Sequence, residues 1–215
     1  MAIRHHIPDR LLMAYSAGQL PEAFALVVAA HVSVCDDCRA RLGCFAAIGG
    51  AVVARSEAVP MREGSLEALM ARLDAGPPPP VARPAPRPRG LFPGPLRDYV
   101  GGDLEAVRWR PVGMGMRQAI LPTGREATVR LLHIPAGVPI PDHGHRGLEL
   151  TMVLKGALRD AIDRFGPGDV EVAGCDLQHS PVAEPGEDCI CLAATDAPLR
   201  FSGLVPRLAQ RFLRI

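Results

Sequence analysis

The chain has 215 residues, 48% of them apolar and 22% charged, and a formal net charge of +1. That is ordinary for a folded globular protein, and the balanced charge removes any bulk electrostatic case for nucleic acid or an anionic membrane as partner. The start, MAIRHHIPDR, has no apolar stretch behind a basic one, and the longest apolar run, AFALVVAA, is far short of a membrane span. A cytoplasmic location with reduced thiols follows as an expectation, so the cysteines read as metal ligands, redox groups or small core residues.

The front of the chain reads as helices. Pro8 and Asp9 start a short apolar-periodic stretch through Leu11, Leu12 and Tyr15, ended by Gly18. Pro21 and Glu22 open a longer helix through the apolar stretch 23–34. A third is expected from Cys38 to about Arg55. Gly64 and Ser65 introduce a fourth, SLEALMARL, with Ser65 as N-cap and Leu66, Leu69, Met70 and Leu73 on one face. It has little local core, so its apolar face is expected to await a partner.

Residues 76–95, GPPPPVARPAPRPRGLFPGP, are dominated by proline and predict an extended interdomain linker. It separates a helical domain, 1–75, from a rear domain, 96–215. In the rear piece short runs (RQAILP, TVRLLHIP, LELTMVLKG, ALRDAI, DVEVAG, CICLAATD) alternate with Gly, Pro and Asp. That rhythm predicts an antiparallel β-sandwich or barrel.

Two constellations carry chemistry. In HVSVCDDC, His31, Cys35 and Cys38 would spread over about 10 Å on an unbroken helix at 1.5 Å per residue. Tetrahedral zinc holds its ligand atoms at about 2.0–2.3 Å. The helix must therefore break near Cys35, with CDDC as a turn. The fourth ligand is expected from His5 or His6, with His6 favoured because it adjoins a helix start. Thin helices make a poor core, and structural zinc contributes on the order of 10 kcal/mol to folding. A thioredoxin-like dithiol does not suit these flanks, and two small core cysteines would be the bland reading. Cys44 is expected in the core.

The second constellation is GVPIPDHGHRGLELTMVLKG. Gly137, His143, His145, Glu149 and Gly156 fit the first cupin motif, G-x5-H-x-H-x3-E-x6-G, at every fixed position. His143 and His145 are two apart and share a strand face, and a turn through Gly147 returns Glu149 to that side. Gly168-Asp169, followed by His179, resembles the second cupin motif, although Gly174 stands where Pro is common and Ala183 where Asn is common. Three nitrogens and one oxygen suit zinc, iron, manganese or nickel. Cys189 and Cys191 share a strand face too. They read as core residues or, more sharply, as thiols near the metal that take part in sensing.

Taken together, His6, His31-x3-Cys35-x2-Cys38 and a following cupin resemble the zinc-binding anti-sigma family with a C-terminal cupin. The start IRHH, the tract RGLELT and the tail CICLAATDAPLRF belong to the same resemblance. It implies an all-α zinc-binding anti-sigma domain that binds a group IV (extracytoplasmic-function) sigma factor 1:1, and an all-β cupin needed for release under singlet oxygen or oxidative stress. It also implies structural zinc on His6, His31, Cys35 and Cys38, a second metal, zinc again, on His143, His145, Glu149 and His179, and no enzyme activity. The alternative reading is a metal-dependent cupin enzyme, a dioxygenase or isomerase, with a zinc helical appendage. No acid, base or nucleophile beyond the ligands stands out to favour it.

Overall fold

A computed structural model describes residues 2–76 and 90–201. The central part of the expected linker, 77–89, lies outside the described residues, as does the chain beyond Phe201. The front carries α1 (Asp9–Ser16), α2 (Glu22–Val32), α3 (Asp36–Arg55) and α4 (Ser65–Asp74). A fifth helix, α5 (Gly94–Val100), and a single 3₁₀ turn, Leu104–Ala106, precede the strands. Helices one to four were expected, with two differences. The third starts earlier, because Cys35 is its N-cap and its sulfur accepts from the Cys38 N–H. In the fourth, Gly64 at φ +77° is the cap residue and Ser65 the first helical one, its hydroxyl turned back to the Arg62 carbonyl.

α5 was not expected. The proline-rich composition hid Phe92 and Leu96, which are both buried. Pro93 caps the helix and Pro95 lies in its first turn, where a missing N–H costs nothing. The end of the expected linker is therefore packed structure.

The rear is a cupin-like assembly of antiparallel strands. The long ones are β1 (Arg110–Gly113), β2 (Met116–Leu121), β3 (Thr128–Ile134), β5 (Glu149–Lys155), β8 (Val170–Ala173) and β11 (Cys189–Thr195). They form one sheet in the order β1-β2-β3-β11-β5-β8. Two-residue strands build two smaller sheets: β10 (Val182–Ala183), β6 (Leu158–Arg159) and β7 (Arg164–Phe165), and β12 (Arg200–Phe201), β4 (His143–Gly144) and β9 (Gln178–His179). Among the described residues the sheets do not close into a barrel.

Alternation sorts the large sheet. Val129 and Leu131, Leu150 and Met152, and Leu192 and Ala194 point to one face and join a core with Leu11, Leu12, Phe24, Val27 and Leu96. Arg130 and Leu132, Glu149 and Thr151, and Cys191 and Ala193 point to the other, into a cavity. With both faces covered, β11 reads as a continuous apolar run, whereas β5 alternates at its start, with the polar Glu149 and Thr151 facing the cavity. The same reason explains α2. It is apolar nearly all round because it lies between the sheet and its neighbouring helices. The front helices thus share a core with the strands, although a proline-rich tract separates them in sequence.

Beyond Phe45, which is half-buried against it, α3 leaves this core. Only Cys38 of its 20 residues is buried, and Ile48, Val52 and Val53 are exposed. Cys44, expected in the core, is exposed, although the next residue, Phe45, is half-buried against the core. α4 buries nothing; Leu66, Leu69, Met70 and Leu73 all face outward.

Candidate metal centres

The first cluster forms where α2 ends and α3 begins. Val34 and Cys35 donate their N–H groups to the His31 carbonyl, closing α2. Cys35 then turns extended, at φ −111° and ψ 108°, and α3 starts at Asp36. The break brings Cys38 back beside Cys35 in the first turn of a new helix rather than in a free turn. From the start of the chain His6 closes the group, its Nδ1 3.3 Å from Cys35 Sγ and 3.6 Å from Cys38 Sγ. One donor atom from each of His6, His31, Cys35 and Cys38 lies within 4.8 Å of the others. His5 is directed elsewhere, its ring 4.4 Å from that of Phe165.

His31 shows how the cluster is prepared. Its ring is fully buried, and Nδ1 lies 2.9 Å from the Gly168 carbonyl. That contact sets Nδ1 as the protonated nitrogen and leaves Nε2 with its lone pair. Nε2 is buried with no hydrogen-bond partner. A buried acceptor without a donor is costly, and a metal ion beside two thiols removes the cost. The backbone carbonyl behind it is what a ligating histidine ordinarily has. Burial lowers the His31 pKa, which keeps the ring neutral. Burial also raises that of the Cys38 thiol, so binding there must displace a proton. Behind His6, Nε2 faces Asp37 at 4.0 Å.

The second cluster lies across the large sheet from the helices. β4 pairs with β9 so that His143 stands opposite His179. His145 Nε2 approaches His179 Nε2 at 3.2 Å, and one nitrogen from each of the three rings lies within 4.8 Å of the others. All three rings are buried. His143 is set by the Pro141 carbonyl, 2.8 Å from its Nδ1. Burial lowers the pKa of His143 and of His145. At His179 burial acts the same way, but bonds from Glu171 and Asp160 outweigh it and the pKa rises. Nδ1 of His179 lies 3.1 Å from Glu171 and 3.5 Å from Asp160. Three nitrogens facing inward, with carbonyl or carboxylate support behind two of them, fit a metal ion.

Glu149, expected as the fourth ligand, is not gathered with the three nitrogens. One carboxylate oxygen accepts from Thr151 Oγ1 at 2.9 Å and the other lies 3.6 Å from the rear nitrogen of His145. It adjoins the cluster and borders the same cavity.

A family profile described as the ChrR cupin-like domain matches residues 98–198. The anti-sigma-E factor ChrR of Cereibacter sphaeroides is 59% identical over 217 residues, covering all of both chains. The chain belongs to the ChrR family. The crystal structure of Rhodobacter sphaeroides SigE in complex with the anti-sigma ChrR matches at 57% identity, with a TM-score of 0.79, over 91% of this chain and all of that one.

For a ChrR-family chain, several of these features had no sequence signal. Asp160 and Glu171, which orient His179, and Gly168, which orients His31, come from distant parts of the chain and follow no spacing rule. Arg130, 6% exposed, lies on the cavity face of β3 and donates to Gln118 Oε1 at 3.2 Å. The cavity, about 250 Å³, is walled mainly by apolar side chains such as Met116, Leu132, Leu158 and Phe201. Cys189 and Cys191 are both fully buried, and Cys191 borders the cavity. Its bond with Cys189, together with burial, raises the Cys191 pKa well above the ordinary thiol value. It is therefore a protonated thiol rather than a ready nucleophile. Among the described residues no helix is long and apolar enough to cross a membrane.

Proposed function

We propose that this chain is a cytoplasmic anti-sigma factor. It holds a group IV sigma factor one to one through its helical part, residues 1–75. It gives that factor up when the cupin part, residues 96–215, registers singlet oxygen or related oxidative stress. The observation that carries the reading is the likeness, over the whole of both chains, to a protein named an anti-sigma-E factor. The bare apolar faces of α3 and α4 support it, since exposed apolar side chains grouped on helices mark sites of protein association. A cupin enzyme has no use for such helices.

The metals in this reading are two zinc ions. His6, His31, Cys35 and Cys38 would hold the first, closed on all sides and structural. His143, His145 and His179 would hold the second, with Glu149 completing the set once its carboxylate swings from Thr151. Bound there, the ion supplies a Lewis-acidic centre facing an apolar cavity. Cys191 takes part in sensing only by way of an oxidant that enters that cavity, because its thiol is buried and protonated.

The test is co-expression of the full chain with a group IV sigma factor. A 1:1 complex on size exclusion is expected, and Leu69→Asp with Leu73→Asp should weaken it at least 100-fold while leaving the chain folded. No complex from a folded, metal-loaded chain would remove the anti-sigma reading.

A further inference from the structure

The two metal clusters sit on either side of one short stretch of backbone. Gly168, Asp169, Val170 and Glu171 are consecutive. At the front of this stretch the Gly168 carbonyl bonds to His31 Nδ1 at 2.9 Å. At its end Glu171 Oε1 lies 3.1 Å from His179 Nδ1. Between them, the buried Asp169 carboxylate accepts from the backbone N–H groups of Arg4 at 2.6 Å and His5 at 3.0 Å, and its other oxygen accepts from Gly166 N–H at 2.8 Å. Val170 N–H donates to the His5 carbonyl at 3.2 Å. These bonds hang the segment that leads into His6 from the same backbone.

The stretch is stiff. Gly168 N–H donates to the Val153 carbonyl at 2.8 Å, and Val153 N–H to the Asp169 carbonyl at 3.0 Å, which ties it to β5. Gly168 stands at φ +91°, and a Cβ there would come within 2.7 Å of Ile3. The N-terminal segment therefore packs directly onto the turn. β8 is also the edge of the large sheet, so the segment covers backbone groups that would otherwise be open.

We propose that residues 168–171 are a shared support for both metal clusters, through which occupancy of the cupin cluster sets the metal affinity of the helical cluster. The proposal rests on both clusters being metal sites. A ligating histidine is oriented by the partner of its other nitrogen, and removing such a partner typically costs 10–100-fold in metal affinity. Here the partners of His31 and His179 lie three residues apart on one backbone. Holding His179 on an ion fixes its Nδ1–H on Glu171. Glu171 then fixes the start of β8, and with it the carbonyl that orients His31 and the carboxylate that anchors the approach to His6. Emptying the cupin cluster releases that end of the support. Binding free energies couple reciprocally, so the helical cluster must affect the cupin cluster by the same factor.

Cobalt(II) distinguishes the two sites in the full chain. Only the helical cluster has thiolates, so only it gives a sulfur-to-cobalt charge-transfer band in the near ultraviolet. The affinity behind that band is measured by competition with a chelator, in the parent chain and in His143→Ala with His145→Ala. About a 10-fold loss is expected when the cupin cluster is disabled. In a Glu171→Ala background, which removes the acceptor, the same disabling should change the affinity less than about twofold, because the support is already cut. The reciprocal measurement uses Cys35→Ser with Cys38→Ser and reads cobalt at the cupin cluster. The same factor is expected there, which keeps the proposal testable should the histidine variant fold poorly. A thiolate band whose affinity ignores the cupin cluster in both directions overturns the coupling and leaves the metal reading standing. Absence of any thiolate band overturns the metal reading of the helical cluster itself.

Discussion

The shared core makes a strong demand on Phe24→Ala. Phe24 lies in α2, is 2% exposed, and belongs to the apolar cluster that joins the front helices to the large sheet. Replacing a buried Phe by Ala removes its transfer free energy and leaves a cavity, together about 3–5 kcal/mol. For a chain of this size 1 kcal/mol moves the melting temperature by about 2–4 °C, so a fall of about 6–20 °C is expected. The assay is scanning calorimetry of the metal-loaded full chain and the variant. If helices and sheet share a core, the main transition, which includes the melting of the strands, moves down. If instead a minor helical transition moves and the strand transition stays within 1–2 °C of the parent, α2 does not contribute to the sheet's stability and the shared core is refuted.

Two further outcomes follow from single residues. Gly156 stands at φ +70°, and a Cβ there would sit 2.7 Å from the Asp188 carbonyl oxygen, which is backbone and has no flexible end to yield. Gly156→Ala is therefore expected to cost about 3 kcal/mol or more, a left-handed penalty of 1–2 kcal/mol plus the clash, seen as a lowered urea midpoint; a change under about 0.5 kcal/mol would contradict the close approach. The metal-free chain should also lose stability as pH falls below about 6.5, the unperturbed histidine value. His31, His143 and His145 have pKa values lowered by burial. The unfolded chain then binds more protons than the folded one, and stability rises with pH through that window. His179, with its raised pKa, opposes them: its contribution is full below the unfolded value and is lost as pH rises through the folded one. Glu171, its pKa raised by burial, acts in the same sense as His179. With three lowered histidines against these two groups, the urea midpoint is expected to be lower at pH 5 than at pH 7, and a higher midpoint at pH 5 would contradict it.

What could be read from the sequence was local and periodic. The strands carrying LELTMVLKG and CICLAATD announced themselves as alternating and apolar runs, and the AFALVVAA helix as an apolar stretch. The His31–Cys38 spacing forced a break in the helix because a helix rises too far between them, and the break is there. The two-residue strands have no length over which a pattern could show. α5 was missed because proline suggests extension, although two of these prolines occupy a helix start, where they are harmless. Ser65 was misplaced by one residue because Gly64 takes the left-handed position itself. The contacts of Gly168, Asp169 and Glu171 with the helices and with His179 join residues far apart in the chain, and no spacing encodes them. Glu149 was placed by motif, but a local Thr151 hydroxyl competes for its carboxylate.

The position of the first cluster now has a physical reason. α2 is packed between the sheet and its neighbouring helices, with seven of its 11 residues buried. α3 keeps only its front half in contact, through the Cys35 cap, the buried Cys38, the half-buried Phe45 on the core and the ion pair of Arg41 with Asp9 of α1. The ion pair is exposed and contributes at most about 1 kcal/mol. Beyond Phe45 every residue of α3 is exposed, so the angle at which it leaves α2 rests on this short contact and on what fixes His31 to Cys35 and Cys38 across the break. A metal ion at that corner, with His6 as a brace from α1's approach, would convert a loose joint into a set one. The exposed apolar residues of α3 would then be presented at a defined angle to a sheet that does not move, which is what a rigid docking surface for a sigma factor requires.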